Sequence, residues 1–345
     1  MRSRGAGGPG LKAGNLRYNA GHGCGPLAGP AVGVRVMYLY RHISDFKGRD
    51  RGLAIAIGNF DGFHKGHQAV VARMQERAAA LNLYSAVMIF EPQPLEFFGR
   101  AIPARLFTLR DKLRHFRGCG VEIVICVPFT RDFSQLDARE FVQEVLCRRL
   151  QVRSITVGSL FTFGRGGVCT IEDLRAQAAA AGIEAGAVMA VAADDTRVSS
   201  TMLRALVAKG DFDTVRDMTG HGYAIAGRVV HGSELGRTIG FPTANVNLNR
   251  RVCPLHGVYA VRVQCGGASY RAVANVGYRP TVASHSPRSL LEVHIVDFDG
   301  DIYGREIVVE FVAKLRDERK FSALPELIEQ IRRDKASAMA ILGGS

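Results

Sequence analysis

Two short segments of this chain gather residue types that handle phosphate. The first is Gly58-Asn59-Phe60-Asp61-Gly62-Phe63-His64-Lys65-Gly66-His67. Glycine permits positive φ angles and close approach of backbone to a ligand. Three-residue spacing puts His64 and His67 on one face at the start of a helix. Free N–H groups and the helix dipole favour an anion at such a place. Gly58, Phe60, Asp61 and Gly62 then form a phosphate-binding turn, with His64 and His67 as the catalytic pair for attack at the α-phosphorus of ATP. A lone histidine is usually structural, but His-x-Gly-His directly after a glycine-rich strand turn is far more specific. Farther along, Thr196-Arg197-Val198-Ser199-Ser200-Thr201 precedes a helical run from Met202 to Lys209. Arg197, Ser199, Ser200 and Thr201, with Arg204 beyond them, suit the β- and γ-phosphates, although alone they read as a well-capped helix.

The second segment is Gly236-Arg237-Thr238-Ile239-Gly240-Phe241-Pro242-Thr243-Ala244-Asn245. Its Gly and Lys spacing is wrong for a Walker A loop. Thr243 and Asn245 offer two neutral oxygen ligands on one side of an extended segment, a set that could hold Mg²⁺ between phosphates. Glu292, in strand-like Leu291–Phe298, is a carboxylate between apolar neighbours. A partly buried Glu can act as general base on a hydroxyl. The plainer reading is an exposed Glu on a polar strand face, since Glu292, His294 and Val296 share that face. Two nucleotide sites on one chain imply two consecutive reactions on ATP.

The elements that must position these residues fall into two textures. From Leu53 to Ala192 short apolar runs alternate with amphipathic ones. Strands are expected at Leu53–Ile57, Ser85–Phe90, Val121–Val127, Val152–Val157 and Ala187–Ala192. Helices are expected at Gln68–Leu81, at Leu109–Phe116 after a Thr108 cap, at Ala138–Leu150 after Asp137, and from a Thr170-to-Asp173 capping box to Ala181. The alternation implies a parallel, Rossmann-like α/β sheet with helices on both faces. Ligands bind such sheets at the carboxyl ends of the strands, where the His64/His67 turn falls. After about residue 220 come short strands at Tyr223–Val230, Val258–Val263, Tyr270–Ala274, Leu291–Val296 and Glu306–Val312, then a helix at Leu324–Ala338. That pattern implies a small antiparallel β-barrel with a C-terminal helix packed on it.

A chain of 345 residues can hold two such domains. No stretch reaches the roughly 18 apolar residues of a membrane-spanning helix, so a cytoplasmic globular protein is expected. The formal charge is +13, of which residues 1–36 contribute five basic groups and no acid, leaving +8. The surplus suits polyphosphate ligands, and no Lys/Arg run with interleaved aromatics marks a nucleic-acid surface. The seven cysteines form no CxxC pair, which argues against zinc or a disulfide framework. Residues 1–36 hold ten glycines and no hydrophobic periodicity. They read as a disordered tail, or as an upstream extension of a chain that starts at Met37.

With these residues in view, the chain closely resembles bacterial bifunctional riboflavin kinase/FMN adenylyltransferases, also called FAD synthetases. The resemblance runs from about Met37 to near residue 340. It rests on Gly58–His67, Phe90-Glu91-Pro92-Gln93-Pro94, Arg197–Thr201, Gly236–Asn245, Gly257-Val258-Tyr259, Asn275–Thr281, Leu291–Asp297 and Asp301–Gly304. It implies an adenylyltransferase domain over 37–220 and a riboflavin-kinase barrel over 221–345, with ATP, riboflavin and FMN as substrates and Mg²⁺ as cofactor. By the same resemblance Glu292 is the kinase base and Thr243 and Asn245 serve Mg²⁺–ATP. Gly236, Arg237, Thr238, Gly240 and Pro242 complete the ATP/phosphate-binding residues of the kinase. The partners are small molecules, with no nucleic acid or membrane.

One stretch departs from the family pattern. Before and between the phenylalanines of Phe161-Thr162-Phe163 the family usually carries an acidic or Asn residue and often an Arg. Here those positions are Leu160 and Thr162. Weaker flavin or nucleotide binding at the first site is expected, and a kinase whose first domain is impaired is the nearest alternative. An aminoacyl-tRNA-synthetase-like protein and a flavin sensor without turnover are more distant readings. The kinase-like half argues against the former, and His67 and Glu292 against the latter.

Overall fold

The computed structural model describes residues 16–17, 36–99, 102–190, 192–193, 196–232, 235–248, 250, 252–279 and 288–343. Apart from Leu16, Arg17 and Val36, the expectation for the first 36 residues lies outside them. In the N-terminal half, six parallel strands form one sheet in the spatial order Tyr38–Tyr40, Ile123–Pro128, Tyr84–Glu91, Leu53–Ile57, Val152–Gly158, Glu184–Val188. Leu16–Arg17 adds an antiparallel edge beside Tyr38–Tyr40. The chain runs outward from Leu53–Ile57 in one direction through Tyr84–Glu91 and Ile123–Pro128. It then crosses back to Val152–Gly158 on the other side. The order therefore reverses between Leu53–Ile57 and Val152–Gly158, which is where open α/β sheets bind ligands.

The central strand Leu53–Ile57 is buried along its whole length. Its alternation still has a meaning. Ala54 and Ala56 face the helix Lys65–Ala80 through Val70, Val71 and Met74, whereas Leu53, Ile55 and Ile57 face Phe141–Arg149 and Ile171–Ala180. Small residues on one face let the long helix approach closely, and helices cover both faces as expected. Thr108, Asp137 and Thr170 each cap their helix reciprocally with the residue three positions on. Phe141–Arg149 continues the Asp137-capped turn as a π-helix.

Several elements correct the sequence reading, the unforeseen strand Tyr38–Tyr40 among them. The strand expected at Ala187–Ala192 lies earlier, at Glu184–Val188, paired Ser154 to Glu184 through Gly158 to Val188. It is a sheet edge and only half-buried, so the most apolar run does not mark it. A helix at Phe212–Thr219, absent from the expectation, ends on Gly220 in the left-handed conformation (φ 73°). That glycine terminates the helix before the barrel begins.

The C-terminal half is a closed antiparallel barrel in the order Ala224–Val230, Ala244–Asn247, Arg288–Ile295, Ala268–Arg279, Gly257–Cys265, Glu306–Arg316. Ala244–Asn247 closes it but was not foreseen as a strand, being four residues long with two Asn, a type depleted from strands. The helix Leu324–Gly343 packs Ala338 and Leu342 on Ala260 and is clamped by a two-nitrogen Arg316–Asp334 ion pair at 2.8–3.0 Å.

The halves share one apolar core, which runs from Val71 and Phe116 through Phe212 and Tyr223 to Phe311. At its edge Arg250 of the barrel is wholly buried, donating to Asp111 Oδ2 (3.1 Å) and to the Leu106 carbonyl (2.9 Å) of the sheet half.

Candidate active sites

The first site grows from the turn after Leu53–Ile57. Positive φ occurs at Phe60 (49°), Gly62 (83°) and Phe63 (39°), but not at Gly58. Gly58 is needed for space instead, since a Cβ there would lie 3.3 Å from the Phe60 ring. At Gly62 a Cβ would come within 2.7 Å of Leu106 Cδ1. Phe60 is buried, and its ring lies 5.3 Å from that of His67. Its part in the site is therefore to back the histidine by packing.

His64 is the N-cap of Lys65–Ala80, and its Nδ1 accepts the His67 amide N–H at 3.3 Å. A ring nitrogen that accepts cannot carry the proton, so the His64 proton sits on Nε2. The two imidazoles stack with centroids 3.7 Å apart and planes 17° apart. Gly66 permits this, because a Cβ would sit 3.1 Å from His64 Nδ1. Burial, reinforced by His64 and then Lys112, holds the His67 pKa well below the usual histidine value. His67 is thus neutral before a ligand arrives, and its Nδ1 is buried without a hydrogen-bond partner among the described residues.

Beside His67 opens a cavity of about 180 Å³, also lined by Gly58, Gly158, Ser159, Phe161 and Met189. It lies at the reversal point of the sheet. Leu160, on the same loop, is 60% exposed, and Thr162 is exposed too.

Not every expected phosphate ligand is available. Asp61 is buried, and its carboxylate accepts from Leu106 N (3.2 Å), Phe107 N (2.8 Å) and Arg204 Nη2 (2.7 Å). Arg204 also donates to the Ala104 carbonyl at 2.6 Å. The expectation that Asp61 and Arg204 face phosphate is corrected: they neutralise each other and tie the 104–107 segment beneath the turn. Ser200 donates its hydroxyl to the Asp61 carbonyl at 2.8 Å, and Ser199 caps its helix by accepting from Met202 N at 3.2 Å. Thr201 is exposed. The Arg197 side chain lies outside the described part.

In the barrel, Gly236–Asn245 folds back on itself, with Phe241 N donating to the Gly236 carbonyl at 2.8 Å. A Cβ on Gly236 would lie 2.3 Å from the Phe241 carbonyl oxygen. Gly240 takes a φ of 83° and Thr238 is exposed, while the Arg237 side chain is outside the described part. His294, which sequence reasoning mentioned only as a neighbour, holds this segment: its ring nitrogen Nδ1 meets the Pro242 carbonyl at 2.9 Å and its ring packs on Phe241. Burial, the largest influence, lowers its pKa, so the neutral ring donates there.

Across the barrel wall, Asn245 pairs directly with Glu292, and Glu292 with Asn275. Directly opposed residues share a face. Three polar side chains therefore stand in a row over three adjacent strands, with Glu292 in the middle and half-buried. Asn245 is 4% exposed, and its Oδ1 has no hydrogen-bond partner among the described residues. Gly232 leaves it room, since a Cβ there would fall 2.1 Å from Asn245 Nδ2. An orphaned buried carbonyl oxygen two residues along from the Thr243 hydroxyl offers hard, neutral oxygens, a donor type that fits Mg²⁺.

A larger cavity, about 340 Å³, lies on the other face of the same strand. Thr243, Val293, Ile295, Phe298, Ile302 and Tyr303 are among its lining residues. Asp299 and Asp301 also line it and Glu292 does not; Thr243, two residues before Asn245, lies between this mixed pocket and the polar row. Among the described residues no three His, Cys, Asp or Glu side chains gather to hold a metal, and no helix is long and apolar enough to cross a membrane.

Comparison with known proteins covers both halves. A family model described as FAD synthetase matches residues 47–202, and one described as riboflavin kinase matches residues 219–342. A bifunctional riboflavin kinase/FMN adenylyltransferase of Escherichia coli strain K12 is 45% identical over 294 residues, covering 85% of this chain and 93% of the relative. The protein of the same description from Pseudomonas fluorescens is 44% identical, covering 90% and 99%. That from Bacillus subtilis is 36% identical, covering 83% and 91%. A solved structure titled a macrolide-efflux protein, from Streptococcus pneumoniae, superposes with a TM-score of 0.72 at 30% identity over 87% of this chain and 97% of that one.

Proposed function

The chain belongs to the bifunctional riboflavin kinase/FMN adenylyltransferase family, and on that premise we propose how its residues divide the two reactions. The activities are phosphorylation of riboflavin by ATP and adenylylation of FMN by ATP. The observation that supports the division is the presence of two separate polar clusters, each on its own fold. One is the stacked His64–His67 pair at the reversal point of the sheet, and the other is the Asn245–Glu292–Asn275 row on the barrel.

In the kinase half, Glu292 takes the proton of the terminal ribityl hydroxyl as that oxygen attacks the γ-phosphorus of ATP. The bond to the bridging oxygen breaks, and ADP leaves. Thr243 and Asn245 would hold Mg²⁺, which when bound neutralises phosphate charge. The pocket lined by Phe298, Ile302 and Tyr303, with Asp299 and Asp301 at hand as hydrogen-bond acceptors, suits a purine base with its exocyclic amine.

In the sheet half, a phosphate oxygen of FMN attacks the α-phosphorus of a second ATP, giving FAD and pyrophosphate. His64, with its proton on Nε2, and His67 act as neutral donors toward phosphate oxygens. Adding the negative charge of the polyphosphate raises the proton affinity of both. Positioning and electrostatic stabilisation carry the rate, with no covalent intermediate. We place the enzyme in the cytoplasm with small molecules as its partners.

The test is to incubate the purified protein with riboflavin and ATP, with Mg²⁺ or with a chelator, and to resolve FMN from FAD over time. FMN rising before FAD, and neither forming without Mg²⁺, is the expected result. Full turnover in chelator would remove the metal assignment. FMN that never becomes FAD, even at saturating substrates, would mean that the Leu160 and Thr162 loop has disabled the first site.

A further inference from the structure

Glu292 has an asparagine on each side across the barrel wall. Asn245 lies on the Ala244–Asn247 strand, next to the nucleotide segment. Asn275 lies on the opposite side of Glu292, on Ala268–Arg279. Its Oδ1 is buried and has no hydrogen-bond partner among the described residues. Its Nδ2 donates to Glu318 Oε1 at 3.3 Å. A carboxylate only accepts, so this contact fixes which end of the amide faces which way. The NH₂ points to Glu318, and the carbonyl oxygen is left for another donor.

Glu318 is itself held, its second oxygen lying 3.2 Å from His256 Nε2. Gly277, two residues along the same strand face, makes room for it: a Cβ there would be 2.2 Å from Glu318 Oε1. A buried carbonyl oxygen without a partner costs free energy that a ligand hydroxyl can recover.

We infer that Asn275 accepts a hydrogen bond from a ribityl hydroxyl of riboflavin, orienting the polyol chain so that its terminal hydroxyl meets Glu292, and that Glu318 is the positioning residue that fixes the amide. Phosphoryl donor and acceptor then approach Glu292 from opposite strands, ATP from the Asn245 side and the polyol from the Asn275 side. The inference rests on the assignment of riboflavin phosphorylation to this row.

The test uses the full-length protein with riboflavin and with analogues that each lack one ribityl hydroxyl. Asn275→Ala should raise the KM for riboflavin about tenfold, the worth of one neutral hydrogen bond to a buried group, with the KM for ATP unchanged. One deoxy analogue should be poor for the natural protein yet no poorer than riboflavin for Asn275→Ala, because the same bond cannot be lost twice. Glu318→Gln, which lets the amide turn over, should give the same analogue pattern in weaker form. Adenylylation of supplied FMN reports whether each variant is folded, and Asn275→Val, with a side chain that suits a strand, replaces alanine if that variant is not.

Equal discrimination among the analogues by the natural protein and the Asn275 variant would overturn the inference. So would a rise in the KM for ATP instead of riboflavin. Glu292→Gln separates the two levels. If it phosphorylates riboflavin at the normal rate, the assignment of the row is wrong. If it is slow while Asn275→Ala is normal, only the role of Asn275 is lost.

Discussion

At the scale of single residues, chemistry and support are divided more sharply than residue types alone reveal. Asp61 belongs to the same ten-residue motif as His64 and His67, yet its carboxylate is spent on two backbone amides and Arg204. A motif shows which residues sit close together, but it does not show which atoms remain unbonded. Conversely, Gly232 lies outside the quoted motifs, and its value is only visible in three dimensions. A methyl group there would collide with Asn245, the residue proposed to face Mg²⁺–ATP. Overpacking of this kind costs about 1–3 kcal/mol. If Asn245 bears the whole displacement, Gly232→Ala should raise the KM for ATP in riboflavin phosphorylation by about tenfold. Adenylylation of FMN should be unchanged. Steady-state kinetics of the two half-reactions check this, and an unchanged KM for ATP would show that Asn245 is not needed there.

At the scale of elements, periodicity and capping residues located most of the sheet domain, because burial on both faces and reciprocal caps leave strong marks. The edge strand at Glu184–Val188 and the four-residue Ala244–Asn247 were missed for the opposite reason: a half-buried or very short strand needs little hydrophobic pattern. The loop at 158–169 was legible only through its departure from the family. Leu160 and Thr162 lie beside the cavity that His67 lines. Restoring the usual types with Leu160→Asp and Thr162→Arg should lower the KM for FMN or ATP in adenylylation. A bond to a charged group is worth roughly 1.5–3 kcal/mol, or about one to two decades. No change in either KM would remove the loop from the binding account.

The helix Leu109–Gly118 carries a second element-scale consequence. Its His115 is packed between Phe107, Phe63 and His221, with rings 4.4–5.3 Å apart. Burial, then His221 and Arg114, pushes its pKa down to about 2. Between that value and the unfolded value near 6.5 the unfolded chain binds the extra proton, so stability rises with pH and is lost as pH falls. At pH 5 the loss from His115 alone is about 2 kcal/mol relative to pH 7. Urea unfolding at both pH values should show a smaller difference for His115→Phe than for the natural protein. An equal difference would place the sensitivity elsewhere.

At the scale of the whole molecule, the sequence divides near residue 220, yet the apolar core does not. Tyr223 and Phe311 of the barrel pack in one cluster with Phe116 and Phe212, and Arg250 crosses to Asp111 and Leu106. The two proposed sites therefore sit on one continuous scaffold, each with its own proposed catalytic residues. Product analysis of single-site variants tests this separation most directly. Glu292→Gln and the double variant His64→Ala/His67→Ala are each given riboflavin, ATP and Mg²⁺, and separately FMN, ATP and Mg²⁺. Flavins are then resolved by chromatography. Glu292→Gln should form FMN from riboflavin roughly 10²–10⁴-fold more slowly while still converting supplied FMN to FAD. The double variant should form FMN at the normal rate and accumulate it without making FAD. FAD formation by the double variant, or normal riboflavin phosphorylation by Glu292→Gln, would contradict this division of the two reactions.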